Sequence, residues 1–294
     1  MPAIFLDNGS MVSDDMSTYS RDVLSLMVPR TRRPPAVTLP YIPSPNPFHT
    51  LDLYLPDSGL CPTTKWLIFI HGGYWRDASQ SKDVGASILT RLPPHWAGAS
   101  IDYRLSPEVE HPDHLHDVTA AVQFLRNAYG IKTAVILAHG AGACMAFQYV
   151  AARLSLGETW VKHIVGSGGV YDLLDVSQSS PCYKSYILDA YGADAENWDD
   201  SSPARLEWDA LYGPDVADLK FTLVHSKHDT LVPLRQVLQF EDTLTKAGFH
   251  ASLRLVDIHD HDAVLETSDL INVVLGICEE MDHKEEQQYL RLLE

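Results

Sequence analysis

The sequence predicts an α/β fold with a mostly parallel central sheet flanked by helices, and three observations support this. Of 294 residues, 45% are hydrophobic and 21% are charged, so the chain can bury a sizeable core. Two apolar runs between residues 37 and 54 follow one another without an intervening helical stretch. From residue 66 onward, apolar runs alternate with longer helical stretches, the pattern of parallel sheets with helices on both faces.

Each strand is predicted from a short run of β-branched and apolar residues. The predicted strands are Val37–Tyr41, Thr50–Tyr54, Trp66–His71, Ala99–Tyr103, Thr133–Ala138, Val161–Val165, Phe221–Val224 and Ser252–Val256. Longer segments with helical periodicity predict the helices. The predicted helices are Ser81–Leu92, Pro112–Tyr129, Ala141–Leu154, Leu234–Ala247 and Ala263–Ile277.

One interval interrupts the alternation of strands and helices. Residues 171–219 contain short segments with three prolines and two tryptophans, which indicates a lid-like insertion or a surface excursion without a role. We therefore expect an N-terminal extension over residues 1–35 and an α/β domain over 36–278 that carries this insertion. A charged C-terminal tail is expected over residues 279–294.

Charge and composition exclude several classes of protein. Lys and Arg number 22 against 39 Asp and Glu, so the net charge of −17 disfavours a nucleic-acid partner. The longest apolar runs are far shorter than the roughly 20 residues of a membrane span, so no membrane association is expected. Four cysteines without C-x-x-C spacing, and an N-terminus without the features of a signal peptide, predict a cytoplasmic protein.

Residues 134–147 have the pattern of a buried strand, a tight turn and the start of a helix. The residues Ala-His-Gly-Ala-Gly at 138–142 occupy the five positions of a nucleophile elbow, G-x-S-x-G, with Gly140 in place of the serine. Glycine cannot attack a carbonyl, and it adopts the strained elbow backbone without penalty. Gly140 is therefore an inactivating substitution or the mark of a site relaxed after hydrolysis was abandoned. Taken alone, the segment also fits a strand–turn–helix without catalytic ancestry.

Further motifs occur on either side of the elbow. His-Gly-Gly at residues 71–73 closes a predicted strand, and such glycines let backbone N–H groups face a developing oxyanion. The residue after the nucleophile, here Ala141, supplies another N–H group. A Gly-Gly turn after a strand is common, but the order of the two motifs favours an oxyanion hole.

An acid and a histidine follow later strands in the order of a catalytic triad. Asp229 lies just beyond the strand predicted at 221–224, and both His259 and His261 lie beyond the next strand. The order nucleophile, acid, histidine is that of the hydrolase triad, in which the acid fixes the imidazole tautomer. Asp229 alone would more often be a turn residue, and the sequence leaves open which histidine is used.

Other candidate groups are weaker. The His-Asp-His-Asp run at 259–262 and the histidines within 111–116 each suggest a metal site, but neither has a complete ligand set at familiar spacing, so no metal is predicted. Ser167 follows a different strand and is expected to be a loop hydroxyl near the site. Cys144, one turn into the helix after the elbow, is expected to be buried packing.

Taken together, the chain resembles the fungal type of kynurenine formamidase (arylformamidase) in the α/β-hydrolase superfamily. The resemblance runs from about residue 45 to residue 278. Its similar stretches are His71-Gly-Gly-Tyr-Trp, Ile101-Asp-Tyr-Arg-Leu-Ser-Pro-Glu-Val, the elbow region 136–149, Leu223-Val-His-Ser with Asp229 and Leu234-Arg-Gln, and the region of His261. The His-Gly-Gly and elbow motifs are common to the superfamily, whereas the Asp-Tyr-Arg-Leu-Ser-Pro and Val-His-Ser segments are more specific.

The resemblance implies an α/β-hydrolase fold and hydrolysis of N-formyl-kynurenine to kynurenine and formate without a cofactor. It implies that Asp229 and His261 are triad members. By the same resemblance, the oxyanion donors would be Gly72, Gly73 and Ala141, and the substrate-binding residues would be His71, Tyr74 and Trp75. The expected partner is a small-molecule substrate, and a homodimer is left open.

The chain departs from the family at the elbow, where members carry serine at the position of Gly140 and usually glycine at the position of Ala138. Three functions therefore remain open. The first is a formamidase or esterase framework without its serine. The second is a non-hydrolytic lyase, isomerase or cyclase that acts on a small metabolite through the His261–Asp229 pair. The third is a non-catalytic binding protein.

Overall fold

A computed structural model describes residues 37–179, 181–258 and 260–293, so the predicted extension over 1–35 lies outside the described residues. The strands are β1 (Val37–Pro40), β2 (Thr50–Tyr54), β3 (Trp66–Ile70), β4 (Ala97–Ile101), β5 (Ala134–His139), β6 (Val161–Ser167), β7 (Lys220–Ser226) and β8 (His250–Val256). Within the described residues they form one sheet in the order β1-β2-β4-β3-β5-β6-β7-β8. β2 pairs antiparallel with β1 and β4, and every other pairing is parallel.

Helices cover both faces of this sheet. The α-helices are α1 (Ala86–Leu89), α2 (Asp113–Tyr129), α3 (Gly140–Leu154), α4 (Leu173–Ser179), α5 (Pro181–Tyr191), α6 (Ala195–Asp200), α7 (Trp208–Leu211), α8 (Leu234–Lys246) and α9 (Ser268–Leu293). Side chains of α2, α3 and α8 belong to one hydrophobic cluster, and side chains of α1 and α9 belong to a second. The predicted α/β architecture with a mostly parallel sheet flanked by helices is confirmed.

The central strands are buried on both faces, which explains their continuous apolar sequences. In β3, Ile68 and Ile70 pack in the first cluster, whereas Leu67 and Phe69 pack in the second. Successive side chains of a strand point to opposite faces, so a continuous run of apolar residues packs against the helices on both faces of the sheet. Burial of each such side chain contributes about 1.5–3 kcal/mol.

Two predicted helices are wrong as continuous elements. Residues 81–92 instead form a 3₁₀ helix at Lys82–Gly85 followed by the short α1. A Cβ at Gly85 would lie 2.6 Å from Phe69 Cδ1, so this turn lies directly against β3. Residues 263–277 are likewise divided, because Thr267 has extended backbone between a 3₁₀ helix at Asp262–Glu266 and α9.

The predicted insertion over 171–219 and the predicted tail after residue 278 both contain helices. The short helices α4 to α7 occupy the interval 171–219. Helix α9 continues past residue 278 as far as Leu293, and Asp282 on it accepts a hydrogen bond from Lys65 Nζ at 2.9 Å. In the part of the chain that the structure describes, no helix is both long enough and apolar enough to cross a membrane.

The topology gathers the motifs at one edge of the sheet. Strands β3, β5, β6, β7 and β8 are parallel, so their carboxyl ends share that edge. The segments that follow four of these strands contain the His-Gly-Gly motif, Gly140, Asp229 and His261. In open α/β sheets this edge is the usual place for ligand binding.

Candidate active site

Asp229 and His261 form a buried hydrogen-bonded pair. His261 Nδ1 lies 2.6 Å from Asp229 Oδ2, and Asp229 Oδ1 accepts the backbone N–H groups of Leu231 and Val232 at 2.9 and 2.8 Å. Burial raises the pKa of Asp229, but these hydrogen bonds outweigh it and hold the pKa below its ordinary value. An ionised Asp229 fixes the proton on Nδ1, which leaves His261 Nε2 able to accept another. His259, the alternative histidine, lies outside the described residues.

Gly140 occupies the position that faces the free nitrogen of this histidine. Its φ is +50°, a left-handed conformation that glycine adopts without steric cost. A Cβ built at residue 140 would lie 3.3 Å from His261 Nε2 and 3.6 Å from the Cα of Gly72. The geometry therefore brings together the predicted nucleophile position, the histidine and the His-Gly-Gly loop.

Gly142 lets the elbow approach that loop. A Cβ at this residue would lie 2.2 Å from the carbonyl oxygen of His71 and 2.5 Å from that of Ile70, so only glycine fits. The close approach brings the first turn of α3 against the end of β3. Ala141 lies in that turn, where helix N–H groups lack intrahelical partners and carry partial positive charge. This chemistry suits the stabilisation of an oxyanion.

The loop after β3 is strained. Gly73, Tyr74 and Trp75 have φ values of +87°, +53° and +61°. For the two residues other than glycine, this conformation costs about 1–2 kcal/mol each. The Ser106 N–H group donates to the Trp75 carbonyl at 2.7 Å and helps to hold the loop in this shape. Strain of this kind is concentrated at functional sites.

The Asp-Tyr-Arg segment after β4 supports the same loop from behind. The Tyr103 hydroxyl donates to the Gly72 carbonyl at 2.7 Å and lies 3.1 Å from the His71 carbonyl oxygen. Asp102 accepts the backbone N–H of Lys82 at 2.6 Å and faces His71 Nε2 at 3.4 Å. Sequence reasoning noted this segment only as part of a resemblance, and the structure gives it a physical role in positioning the loop.

The three predicted substrate-binding residues differ in position. The Tyr74 ring is half-buried, nearly parallel to the His261 ring, with their centroids 6.2 Å apart. The His71 ring is buried and stacks on Tyr103 with centroids 4.3 Å apart, and Trp75 is fully buried against Tyr191. The structure thus places Tyr74 beside the histidine and the other two behind the loop. Contact of His71 and Trp75 with substrate stays a prediction.

The interval 171–219 contributes to the site through α5. Tyr183 and Tyr186 on this helix pack against Tyr74, with ring centroids 5.2 and 5.0 Å away. The guanidinium carbon of Arg76 lies 5.2 Å from the centre of the Tyr186 ring. One wall near His261 is therefore aromatic, and sequence reasoning had not singled out the two tyrosines of α5.

Sequence reasoning also missed His139, the residue before Gly140. Its Nε2 lies 3.1 Å from Asp262 Oδ1, and its Nδ1 lies 3.4 Å from the hydroxyl of Ser167. Burial and the neighbouring His261 lower the pKa of His139, which favours the neutral imidazole. The hydrogen bond from His139 is the main cause that lowers the pKa of Asp262. The available signals were the position of His139 next to Gly140 and the presence of Asp262 in the His-Asp-His-Asp run at 259–262.

Comparison with known proteins identifies the family. Residues 51–244 match the family model described as BD-FAE, a family of α/β-hydrolases. A kynurenine formamidase of Aspergillus versicolor is 31% identical over an alignment of 236 residues, and the match covers 67% of this chain and 82% of that protein. A kynurenine formamidase of Meyerozyma guilliermondii is 29% identical over 201 residues, which cover 66% of this chain and 76% of that protein.

Solved structures share the fold at low sequence identity. Esterase B of Lactobacillus rhamnosis superposes with a TM-score of 0.70 at 17% identity, over 90% of this chain and 92% of that one. At this identity the likeness concerns the fold alone. The predicted resemblance to kynurenine formamidases and the predicted α/β-hydrolase fold are both confirmed. The chain therefore belongs to the BD-FAE family of α/β-hydrolases and, within that superfamily, to the kynurenine formamidase group.

Proposed function

We propose that the chain hydrolyses a small aryl formamide or ester, with a water molecule as the nucleophile in place of the missing serine hydroxyl. The observation that carries this proposal is the 3.3 Å between His261 Nε2 and the position of a Cβ at Gly140. A small group at that position would contact the histidine nitrogen and would lie 3.6 Å from the Cα of Gly72. The names of the curated relatives, kynurenine formamidases, supply the formamide class, and an ester is cleaved through the same kind of tetrahedral intermediate.

The reaction needs one proton acceptor and one oxyanion site. His261 removes a proton from water as the water oxygen attacks the carbonyl carbon, and Asp229 stabilises the imidazolium that forms. N–H groups of Gly72, Gly73 and Ala141 are proposed to stabilise the negative oxygen of the tetrahedral intermediate. On collapse, His261 returns the proton to the leaving nitrogen or oxygen. The products are formate or another acid together with the amine or alcohol.

The aromatic wall supports an aryl group in the substrate. Tyr74 lies beside His261, and Tyr183 and Tyr186 pack against Tyr74 from α5. Offset or edge-on aromatic contacts contribute about 0.5–1.5 kcal/mol each. Tyr74 is the one of the three whose ring lies within 6.2 Å of the imidazole centre. We therefore propose that Tyr74 contacts the aryl group directly. The reaction so described uses no cofactor, and a cytoplasmic location stays a prediction.

A second candidate function is a non-hydrolytic acid–base reaction, such as that of a lyase, isomerase or cyclase. Gly140 itself favours this candidate, because it removes the covalent nucleophile while the Asp229–His261 pair keeps its 2.6 Å hydrogen bond. General acid–base catalysis requires the pair and a shaped pocket but no serine.

The test is hydrolysis of N-formyl-kynurenine and p-nitrophenyl acetate by the purified chain and by His261→Ala. Loss of general-base catalysis should lower kcat by about 10²–10⁴-fold. His116→Ala is the matched control, because that side chain is 66% exposed and far from the pair in sequence. Equal rates for the native chain and His261→Ala would refute the proposal.

Isotope labelling separates the two candidates. In water enriched in ¹⁸O, hydrolysis by direct attack places one labelled oxygen in the acid product, and mass spectrometry of the protein should detect no acyl adduct. A native chain that leaves both substrates uncleaved, while His261 stays paired with Asp229, would direct the search to non-hydrolytic substrates. An acyl adduct on any side chain would contradict direct attack by water.

A further inference from the structure

A second histidine–carboxylate pair lies beside His261 and is not used by the proposed reaction. His139 is fully buried, and its ring centroid lies 4.5 Å from that of His261. Its Nε2 lies 3.1 Å from Asp262 Oδ1, and the Asp262 side chain is 39% exposed. The elbow thus contributes a buried imidazole to the edge of the sheet at which Gly140 leaves space.

Ligand atoms of three side chains lie close together beside Gly140. Among the residues that the structure describes, His139, His261 and Asp262 form a group whose ligand atoms all lie within 4.8 Å of one another. Two imidazole nitrogens and one carboxylate oxygen are ligands that Zn²⁺ and Co²⁺ accept, and three protein ligands with an open fourth position are typical of reactive sites.

The Nδ1 atom of each imidazole has a hydrogen-bond partner. Asp229 Oδ2 lies 2.6 Å from His261 Nδ1, and the Ser167 hydroxyl lies 3.4 Å from His139 Nδ1. Metal-binding histidines commonly have such a partner, which fixes the tautomer and the ring orientation and leaves Nε2 for the ion. Both partners contact Nδ1, so an ion would bind Nε2 of each ring, and at His139 it would displace the hydrogen bond to Asp262.

Gly140 removes the group that would otherwise compete for His261 Nε2. A Cβ at this position would lie 3.3 Å from that nitrogen, so a serine hydroxyl would be within hydrogen-bonding reach of it. In this chain residue 140 has no side chain that could make this contact. The change that removes the nucleophile therefore also removes a competitor for the buried His261 nitrogen beside His139 and Asp262.

We propose that His139, His261 and Asp262 bind a divalent transition-metal ion of the Zn²⁺ type. A tetrahedral zinc site places neighbouring ligand atoms about 3.3 Å apart, so the widest pair, at most 4.8 Å apart, must approach by up to about 1.5 Å. The carboxylate of Asp262 can make this movement because it is partly exposed. The ion replaces the proton between His139 and Asp262.

Metal binding reaches beyond the proposed hydrolysis and does not rest on it. The ion would occupy the lone pair with which His261 accepts a proton, so metal occupancy and general-base catalysis by that histidine exclude each other. A failure to bind metal leaves the hydrolysis proposal standing, and a failure to hydrolyse leaves the metal site standing. Binding is therefore measured without substrate.

The experiment titrates the full chain, dialysed against EDTA and then freed of chelator, with Co²⁺ alone and with Zn²⁺ alone. Visible d–d absorption of Co²⁺ reports ligand geometry, and calorimetry gives the stoichiometry and affinity for Zn²⁺. One equivalent of each ion should bind, and Asp262→Asn should weaken binding by at least about tenfold. Asp257→Asn is the control, because that carboxylate is 69% exposed and lies outside the group.

A second variant tests whether weaker binding by Asp262→Asn is only an indirect effect on the segment after β8. His139→Gln removes the buried nitrogen ligand, and its fold is checked by its melting temperature. Weakened binding and an altered Co²⁺ spectrum in both variants would support the site. Binding of Zn²⁺ below one equivalent, or with equal affinity in the native chain and Asp262→Asn, would overturn it.

Discussion

Replacement of Gly140 by serine tests whether the elbow still positions a nucleophile. The native residue has a φ of +50°, and a Cβ there would lie 3.3 Å from His261 Nε2 and 3.6 Å from the Cα of Gly72. Both distances leave room for the added carbon, given a small adjustment of the imidazole. The serine hydroxyl would then lie within hydrogen-bonding reach of His261, which is the arrangement that activates a serine for attack.

The expected increase in hydrolysis rate follows from the cost of losing a nucleophile and from the partial compensation by an activated water. Loss of a triad nucleophile costs about 2 × 10⁶-fold in kcat in a well-studied serine protease, and general-base activation of water recovers about 10²–10⁴-fold. The serine variant should therefore hydrolyse p-nitrophenyl acetate about 10²–10⁴-fold faster than the native chain. The left-handed backbone should cost the variant about 1–2 kcal/mol. For a domain of this size, each kcal/mol lowers the melting temperature by about 2–4 °C.

The assay compares the native chain, Gly140→Ser and Gly140→Ala. The alanine variant adds the same Cβ and the same backbone strain without a hydroxyl, so it isolates the contribution of the nucleophile. Gly140→Ser should show burst kinetics and an acyl adduct in the mass spectrum, whereas Gly140→Ala should show neither. If the two variants have the same melting temperature and hydrolyse the ester at the same rate, residue 140 does not face a functional histidine and the assignment of the site is wrong.

Three further predictions concern the groups that support the site. Asp229→Asn should lower kcat for hydrolysis by about 10²–10⁴-fold with little change in KM, because His261 loses its fixed tautomer; unchanged kcat would exclude the pair from catalysis. Tyr103→Phe removes the hydroxyl contacts to the His71 and Gly72 carbonyls and should cost about 1–2 kcal/mol, measured as a lower melting temperature by calorimetry. An unchanged melting temperature would refute this role. Burial raises the pKa of Asp102, but hydrogen bonds from its partners outweigh it and lower the pKa. Stability from Asp102 is therefore present above its unfolded pKa, about 3.9, and lost as pH falls through the lower folded value. The free energy of unfolding from urea titrations should depend less on pH below about 4 in Asp102→Asn than in the native chain, and equal slopes would contradict this.

Local sequence patterns were sufficient for the strands and for the position of the elbow. β2 has the predicted bounds, Thr50–Tyr54, and β3 differs from its prediction by one residue. Such runs are informative because a strand buried on both faces must be apolar throughout, whatever surrounds it. Helix ends were less predictable. The predicted helix 81–92 is divided at Gly85, where the chain packs against Phe69 on β3 and Ser100 on β4.

We could predict the fold class, the elbow around Gly140 and the order of Asp229 and His261 from the sequence, because periodicity, turn chemistry and strand order are properties of local segments. Which side chains meet depends on the tertiary structure. His139 and Asp262 are 123 residues apart, and Tyr103 reaches the Gly72 carbonyl across 31 residues. Parallel strands bring distant loops to one edge, but side-chain contacts there depend on register, loop shape and packing. These distances are set by the whole sheet and its two layers of helices.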